Sequence, residues 1–198
     1  MKKILFISSS RADYGLLRNI ILETKKNKKI KVFVLVTGSH LSKEFGNTIK
    51  EIEKDGLKKY IIKKRVLKKN FFEKDISKYI SQTITSTSST LEKIKPEKVV
   101  ILGDRYELLG CAIASMTHRI PIAHIHGGEV TTGAIDDSIR HSITKLSHLH
   151  FPIHEDYKKR LIQLGENPVT IFNYGGLGAH SIQNTKFKSK SNLEQDLK

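Results

Sequence analysis

Asp104, Arg105, His124, His126, Glu129, Asp136, Asp137, Arg140 and His141 crowd into one stretch, residues 104–141. Two apolar runs, Val99–Leu102 and Ile120–Ile125, each end abruptly in glycine, charge and imidazole. A buried strand of an open α/β sheet ends this way where its carboxyl end opens into a binding crevice. In Gly103-Asp104-Arg105 the acid beside an arginine could be a general base, part of a phosphate clamp, or a plain ion pair. His124-Ile125-His126 is expected to put both imidazoles on one side of a strand end, and Gly127-Gly128 to let backbone approach a ligand. Two histidines at this spacing could ligate a metal, but no cysteine or H-E-x-x-H partner supports zinc, and no metal is expected. One of Asp136 and Asp137 is expected to cap a helix and the other to face the crevice, with Arg140 and His141 in the first turns. Lys145 and His148 are expected to face solvent or a neighbouring subunit.

A second polar turn, Ser8 to Gly15, follows the first apolar run. It has neither the G-x-G-x-x-G spacing of a dinucleotide site nor a P-loop. Ser10 or Asp13 could simply cap the helix, while free backbone N–H groups and the fork of Arg11 could hold a phosphate.

The elements that must carry these residues alternate. Strands are predicted at Lys3–Ser8, Lys31–Thr37, Lys59–Val66, Val99–Leu102, Ile120–Ile125, His150–Ile153 and Val169–Phe172. Helices are predicted at 14–25, 42–54, 73–94, 106–118, 136–149 and 155–164. Strands separated by helices of this length imply βαβ units: a Rossmann-like α/β fold, its parallel sheet covered by helices on both faces. Residues 1–174 read as one domain, and 175–198, polar and lysine-rich, as a linker or the start of a second.

The composition is that of a globular chain: of 198 residues, 38% are hydrophobic and 28% charged. The opening Met1–Ser10 has too short an apolar core for a signal peptide, and no apolar run reaches the length of a membrane span, so no membrane association is expected. The single cysteine, Cys111, cannot form an intrachain disulfide, which fits a reduced, cytoplasmic setting. Lysines behind the net charge of +15 are spread over almost every predicted helix, and the densest cluster is Lys58, Lys59, Lys63, Lys64, Arg65, Lys68 and Lys69. This cluster reads as a solvated face, with steering of an anionic substrate as the alternative. No helix-turn-helix, zinc finger or stacking motif accompanies it, so nucleic acid is not an expected partner.

Taken together, R-A-D-Y at 11–14, G-D-R-Y-E at 103–107, H-I-H-G-G-E at 124–129 and G-A-I-D-D-S-I-R-H-S-I-T-K-L-S-H at 133–148 resemble the hydrolysing UDP-N-acetylglucosamine 2-epimerases of sialic acid synthesis. I-Q-L-G-E at 162–166 and G-G-L-G-A at 175–179 fit as well. A sister group acting on UDP-2,4-diacetamido-trideoxy sugars, toward legionaminic acid, shares these motifs. The resemblance implies two Rossmann-like domains facing across a cleft, as in B-type glycosyltransferases, with this chain supplying the first and inactive by itself. It implies a UDP-sugar substrate, no cofactor and a homodimer. It places Arg11 and Arg105 on the UDP and Asp104 and Asp136 in the acid/base set, with Gly15, His124, Gly128, Asp137, Arg140 and His141 as further substrate-binding positions. Many relatives carry H-I-E-G-G-E, with the first glutamate transferring a proton; here that position is His126, so either His126 or Glu129 takes the role. The alternatives are a glycosyltransferase of the same plan and a basic nucleic-acid-binding module.

Overall fold

The computed structural model describes residues 1–65, 75–132, 135–183 and 189–196. The chain runs β1 (Lys2–Ser8), α1 (Arg11–Lys26), β2 (Ile30–Val36), α2 (Ile49–Ile52), β3 (Ile61–Lys63), α3 (Ile76–Ile94), β4 (Lys98–Leu102), α4 (Tyr106–Thr117), β5 (Ile122–Ile125), α5 (Asp136–Lys145), β6 (Leu149–Phe151), α6 (Glu155–Gln163), α7 (Leu177–Gln183) and α8 (Lys190–Asp196). The six strands are all parallel, in the order β3-β2-β1-β4-β5-β6. From β1 the chain winds outward to β2, and from β4 the opposite way to β5. The strand order therefore reverses between neighbouring β1 and β4, and a crevice opens above their carboxyl ends.

Alternation along the strands creates two cores. Leu5, Ile7, Val99, Ile101 and Ile122 pack with Leu108, Cys111 and Ala112 of α4 and Ile139 and Ile143 of α5. On the other face Phe6, Val32 and Val34 meet Tyr14, Leu17 and Ile21 of α1. Leu177 of α7 joins this second cluster at its margin. Next to α1 that face carries a cavity of about 460 Å³, its walls including Phe6, Val100, Ile125, Phe151 and Phe172.

Several predicted elements change. Ser42–Lys54 keeps only Ile49–Ile52 as regular α-helix, after a left-handed Asn47 (φ 50°). Lys59–Val66 shortens to Ile61–Lys63, because Lys58–Tyr60 forms a 3₁₀ turn. The helix from Asp136 stops at Lys145, since Leu149 is already paired in β6. Val169–Phe172 is no strand: Asn167 caps a 3₁₀ turn at Pro168–Thr170, and one bridge from Ile171 to His150 remains. Val66–Lys69, the predicted helix start at Glu73, and Gly133–Ala134 lie outside the described residues.

Candidate active site

At the reversal point lies a cleft of about 140 Å³ lined by Asp13, Gly103, Asp104, Arg105, His126, Glu129 and Arg140, floored by Leu102. Arg140 organises it. Projecting from α5 with its side chain only 5% exposed, it pairs with Asp104, donates to the Glu129 carbonyl at 3.0 Å and to Thr131 Oγ1 at 2.8 Å. The acid of the Asp-Arg sequence pair is thus held by an arginine from another helix. Arg105 instead bonds Glu107, at 3.2 Å from Nε and 3.0 Å from Nη2, and the Glu107 side chain is fully buried. Burial works against the Arg105 charge, but the Glu107 carboxylate outweighs it and holds the guanidinium above its ordinary pKa.

His126 follows β5 in the left-handed region (φ 66°), uncommon for a residue other than glycine though one that histidine enters more readily than most. Its N–H donates to the Phe151 carbonyl at 3.1 Å, and Nδ1 lies 2.9 Å from Glu129 Oε1. Nε2 is buried and has no hydrogen-bond partner among the described residues. With Nδ1 engaged by Glu129, the buried Nε2 is the unpaired nitrogen of a ring that lines the polar cleft.

Asp13 closes the opposite wall. Its Oδ2 accepts from the Ser9 N–H (2.9 Å), the Ser9 hydroxyl (2.7 Å) and the Ser10 N–H (2.9 Å), and its Oδ1 from the Ser10 hydroxyl (2.7 Å). This is a capping box on α1, which the S-x-x-D spacing foreshadows, but sequence reading did not place Asp13 in the cleft. Glu107 and Thr131 were missed as well. Only the close spacing of Arg105 and Glu107 hinted at their pairing.

Other expected residues lie elsewhere. Arg11 is 74% exposed, pairs with Glu51 at 3.0 Å and does not line the cleft. Gly15 sits on the exposed side of α1 with nothing near its missing side chain. Neither Asp136 nor Asp137 caps α5, because Ile135 holds the cap position. Asp136 is half-buried in the first turn, outside the cleft lining. Asp137 accepts from the Thr131 N–H at 3.1 Å and lies 3.5 Å from both Arg140 and His141. Lys145 is exposed but bound to Glu166 at 2.6 Å.

The two histidines do not share a ligand. His124 is wholly buried inside the sheet, with Nε2 2.8 Å from the Gly103 carbonyl and Nδ1 3.2 Å from Thr144 Oγ1. Burial lowers its pKa to about 4, so it is neutral near pH 7. Gly128 also serves the fold. A side chain there would come within 2.4 Å of the Tyr157 carbonyl, so the close backbone approach expected of a ligand is made by α6. Among the described residues no group of three or more His, Cys, Asp or Glu is arranged to hold a metal ion.

A doubly wound parallel sheet with carboxylates, an imidazole and two carboxylate-paired guanidinium groups at its reversal point defines a Rossmann-like domain with a polar cleft at the usual ligand-binding position of such sheets. The chain belongs to the UDP-N-acetylglucosamine 2-epimerase family, which it matches over residues 22–198. It is 47% identical over 196 residues to the GDP/UDP-N,N'-diacetylbacillosamine 2-epimerase (hydrolyzing) of Campylobacter jejuni, covering 99% of this chain and 50% of that protein. It is 42% identical to the polysialic acid biosynthesis protein P7 of Escherichia coli, covering 98% and 49%. The chain therefore spans about half the length of these relatives. Its fold is that of the Methanocaldococcus jannaschii UDP-GlcNAc 2-epimerase solved with UDP-GlcNAc and UDP, with TM-score 0.81 and 21% identity over 98% of this chain and 52% of that one. Among the described residues no helix is long and apolar enough to cross a membrane.

Proposed function

We propose that this chain forms the first domain of a hydrolysing UDP-sugar 2-epimerase, with residues 1–174 as the domain and 175–198 as its exit toward a second. The single observation that carries this reading is the unpartnered His126 Nε2 beside the Asp104–Arg140 pair in a cleft at the reversal point. In the reaction a base removes the proton on carbon 2 of the sugar, the carbon 1–oxygen bond breaks, and UDP leaves with the bonding electrons to give a 2-acetamidoglucal. Water then adds its hydroxyl to carbon 1, and a proton returns to carbon 2 from the opposite face. His126 or Glu129 is the base, and Asp104 handles the complementary proton. Asp136 is retained as a member of the acid/base set that ligand-driven closure would have to bring in. Arg105, preorganised by Glu107, counters charge developing on the departing diphosphate, and Arg11, which lies outside the cleft on Glu51, is retained as a UDP contact that has to exchange that partner for the ligand.

Identity to the C. jejuni enzyme, whose name gives GDP/UDP, favours a 2,4-diacetamido-trideoxy sugar nucleotide, read as the UDP form, ahead of the UDP-N-acetylglucosamine preferred from sequence alone. Similarity to the E. coli polysialic acid protein keeps the second substrate in view. A cytoplasmic homodimer completes the reading. The test is to give the intact protein each sugar nucleotide without an acceptor. Release of UDP and a free manno-configured sugar is expected. A requirement for an acceptor would instead make it a glycosyltransferase.

A further inference from the structure

We propose that His124 is a positioning residue: its imidazole clamps the Gly103 carbonyl and thereby sets the turn that presents Asp104 and Arg105 to the cleft. This inference rests on the reading above for its catalytic consequence, though not for its geometry.

Gly103 is held by β5 through both of its backbone polar groups. Its N–H donates to the Ile125 carbonyl at 3.0 Å, and its carbonyl lies 2.8 Å from His124 Nε2. A carbonyl only accepts, so Nε2 carries the proton and donates, which leaves Nδ1 as an acceptor for the Thr144 hydroxyl. That contact fixes the ring from α5, the helix that also supplies Arg140. The left-handed Gly103 (φ 84°) turns the chain sharply from β4 into Asp104. Gly127 leaves room for the arrangement, since a side chain there would lie 3.2 Å from both His124 Nδ1 and Thr144 Oγ1. One neutral ring thus ties β4, β5 and α5 together at the point where the two halves of the Asp104–Arg140 pair converge. Charge on His150 of β6, on His126 beyond β5 or on His141 of α5 would oppose charge on His124. A clamp that stays neutral holds the turn alike across the pH range in which exposed imidazoles titrate.

The test uses two amides in the intact protein. A glutamine amide nitrogen reaches the place of Nε2 and can donate to Gly103, whereas an asparagine amide reaches only the place of Nδ1, beside Thr144. With the better UDP-sugar, His124→Asn is expected to lower kcat about 10²-fold with far less change in KM, and His124→Gln to recover most of that loss. Equal losses in both variants, or asparagine outperforming glutamine, would reduce His124 to packing and overturn the proposal. Backbone amide NMR signals of Asp104 and Arg105 provide a readout that needs no turnover. They should shift in His124→Asn and stay in place in His124→Gln, and the reverse pattern would overturn the clamp. Nitrogen-15 spectra of the unaltered protein should show His124 with its proton on Nε2 from pH 5 to 8; titration within that range, or the other tautomer, would also overturn it. If neither sugar nucleotide turns over, the epimerase reading fails while the two NMR results still decide the clamp.

Discussion

Asp104 and Arg105 are neighbours in sequence but not partners in space. Asp104 pairs with Arg140, and Arg105 with Glu107, because successive side chains leaving a strand end point in different directions. The residue types of the cleft were legible from the way the apolar runs stop. The Asp104–Arg140 pairing was not, since it depends on where α5 packs, whereas the Arg105–Glu107 pairing was hinted at only by close spacing. Asp104→Asn keeps the size of the side chain and removes its charge and its proton chemistry. It is expected to lower kcat by about 10²-fold or more with the circular dichroism spectrum unchanged, and near-normal turnover would remove Asp104 from the mechanism. Buried imidazoles give a separate prediction. His40, bonded to Ser8 and Thr48 at 2.9 and 2.8 Å, resembles His124 in having its pKa lowered to about 4 by burial. Below pH 6.5 the unfolded chain takes up protons that these two rings cannot accept when folded. Their contribution to stability is therefore complete above about pH 6.5 and is lost as pH falls toward 4, by up to on the order of 3 kcal/mol per ring. Thermal melts should show Tm dropping across that window, with a shallower drop in His124→Gln; a flat profile would contradict the buried neutral state.

At the scale of elements, alternating strand and helix patterns exposed the βαβ plan and the two site-bearing strands β4 and β5. They failed where local turn chemistry overrode periodicity, as at Asn167-Pro168, where a capped 3₁₀ turn replaces a strand. The pair Gly127-Gly128 shows a different limit, because sequence alone cannot distinguish close approach to a ligand from close approach to a helix. The structure has α6 pressed onto Gly128, whose carbonyl accepts from Arg160 at 2.5 Å, and the positive φ of 82° adds a second constraint. Gly128→Ala must move α6 or strain the backbone, so a loss of about 2 kcal/mol or more is expected in urea unfolding. Stability within 0.5 kcal/mol of the unaltered chain, about the ordinary scatter of surface changes, would show that α6 is not packed this closely.

Across the whole molecule, the reversal of strand order between β1 and β4 places the cleft, while charge does little to define it. The net charge of +15 is spread over surface lysines, whereas the cleft itself is a balanced set of acids, guanidinium groups and an imidazole. The apolar cavity beside α1 is open on the sheet face and is expected to bind the dye ANS and promote self-association of the isolated chain. A chain that stays monomeric in sedimentation and leaves ANS dark would contradict this. Fold and family were legible because the motifs occur together and in order, while the choice of sugar depends on substituent contacts that no motif in this chain spells out. The central claim is proton abstraction at carbon 2 with expulsion of UDP, and it is tested most directly by running the intact protein with each sugar nucleotide in deuterated water. Deuterium at carbon 2 of a manno-configured product, appearing with free UDP, is the predicted result; a product that keeps its original proton there would contradict it.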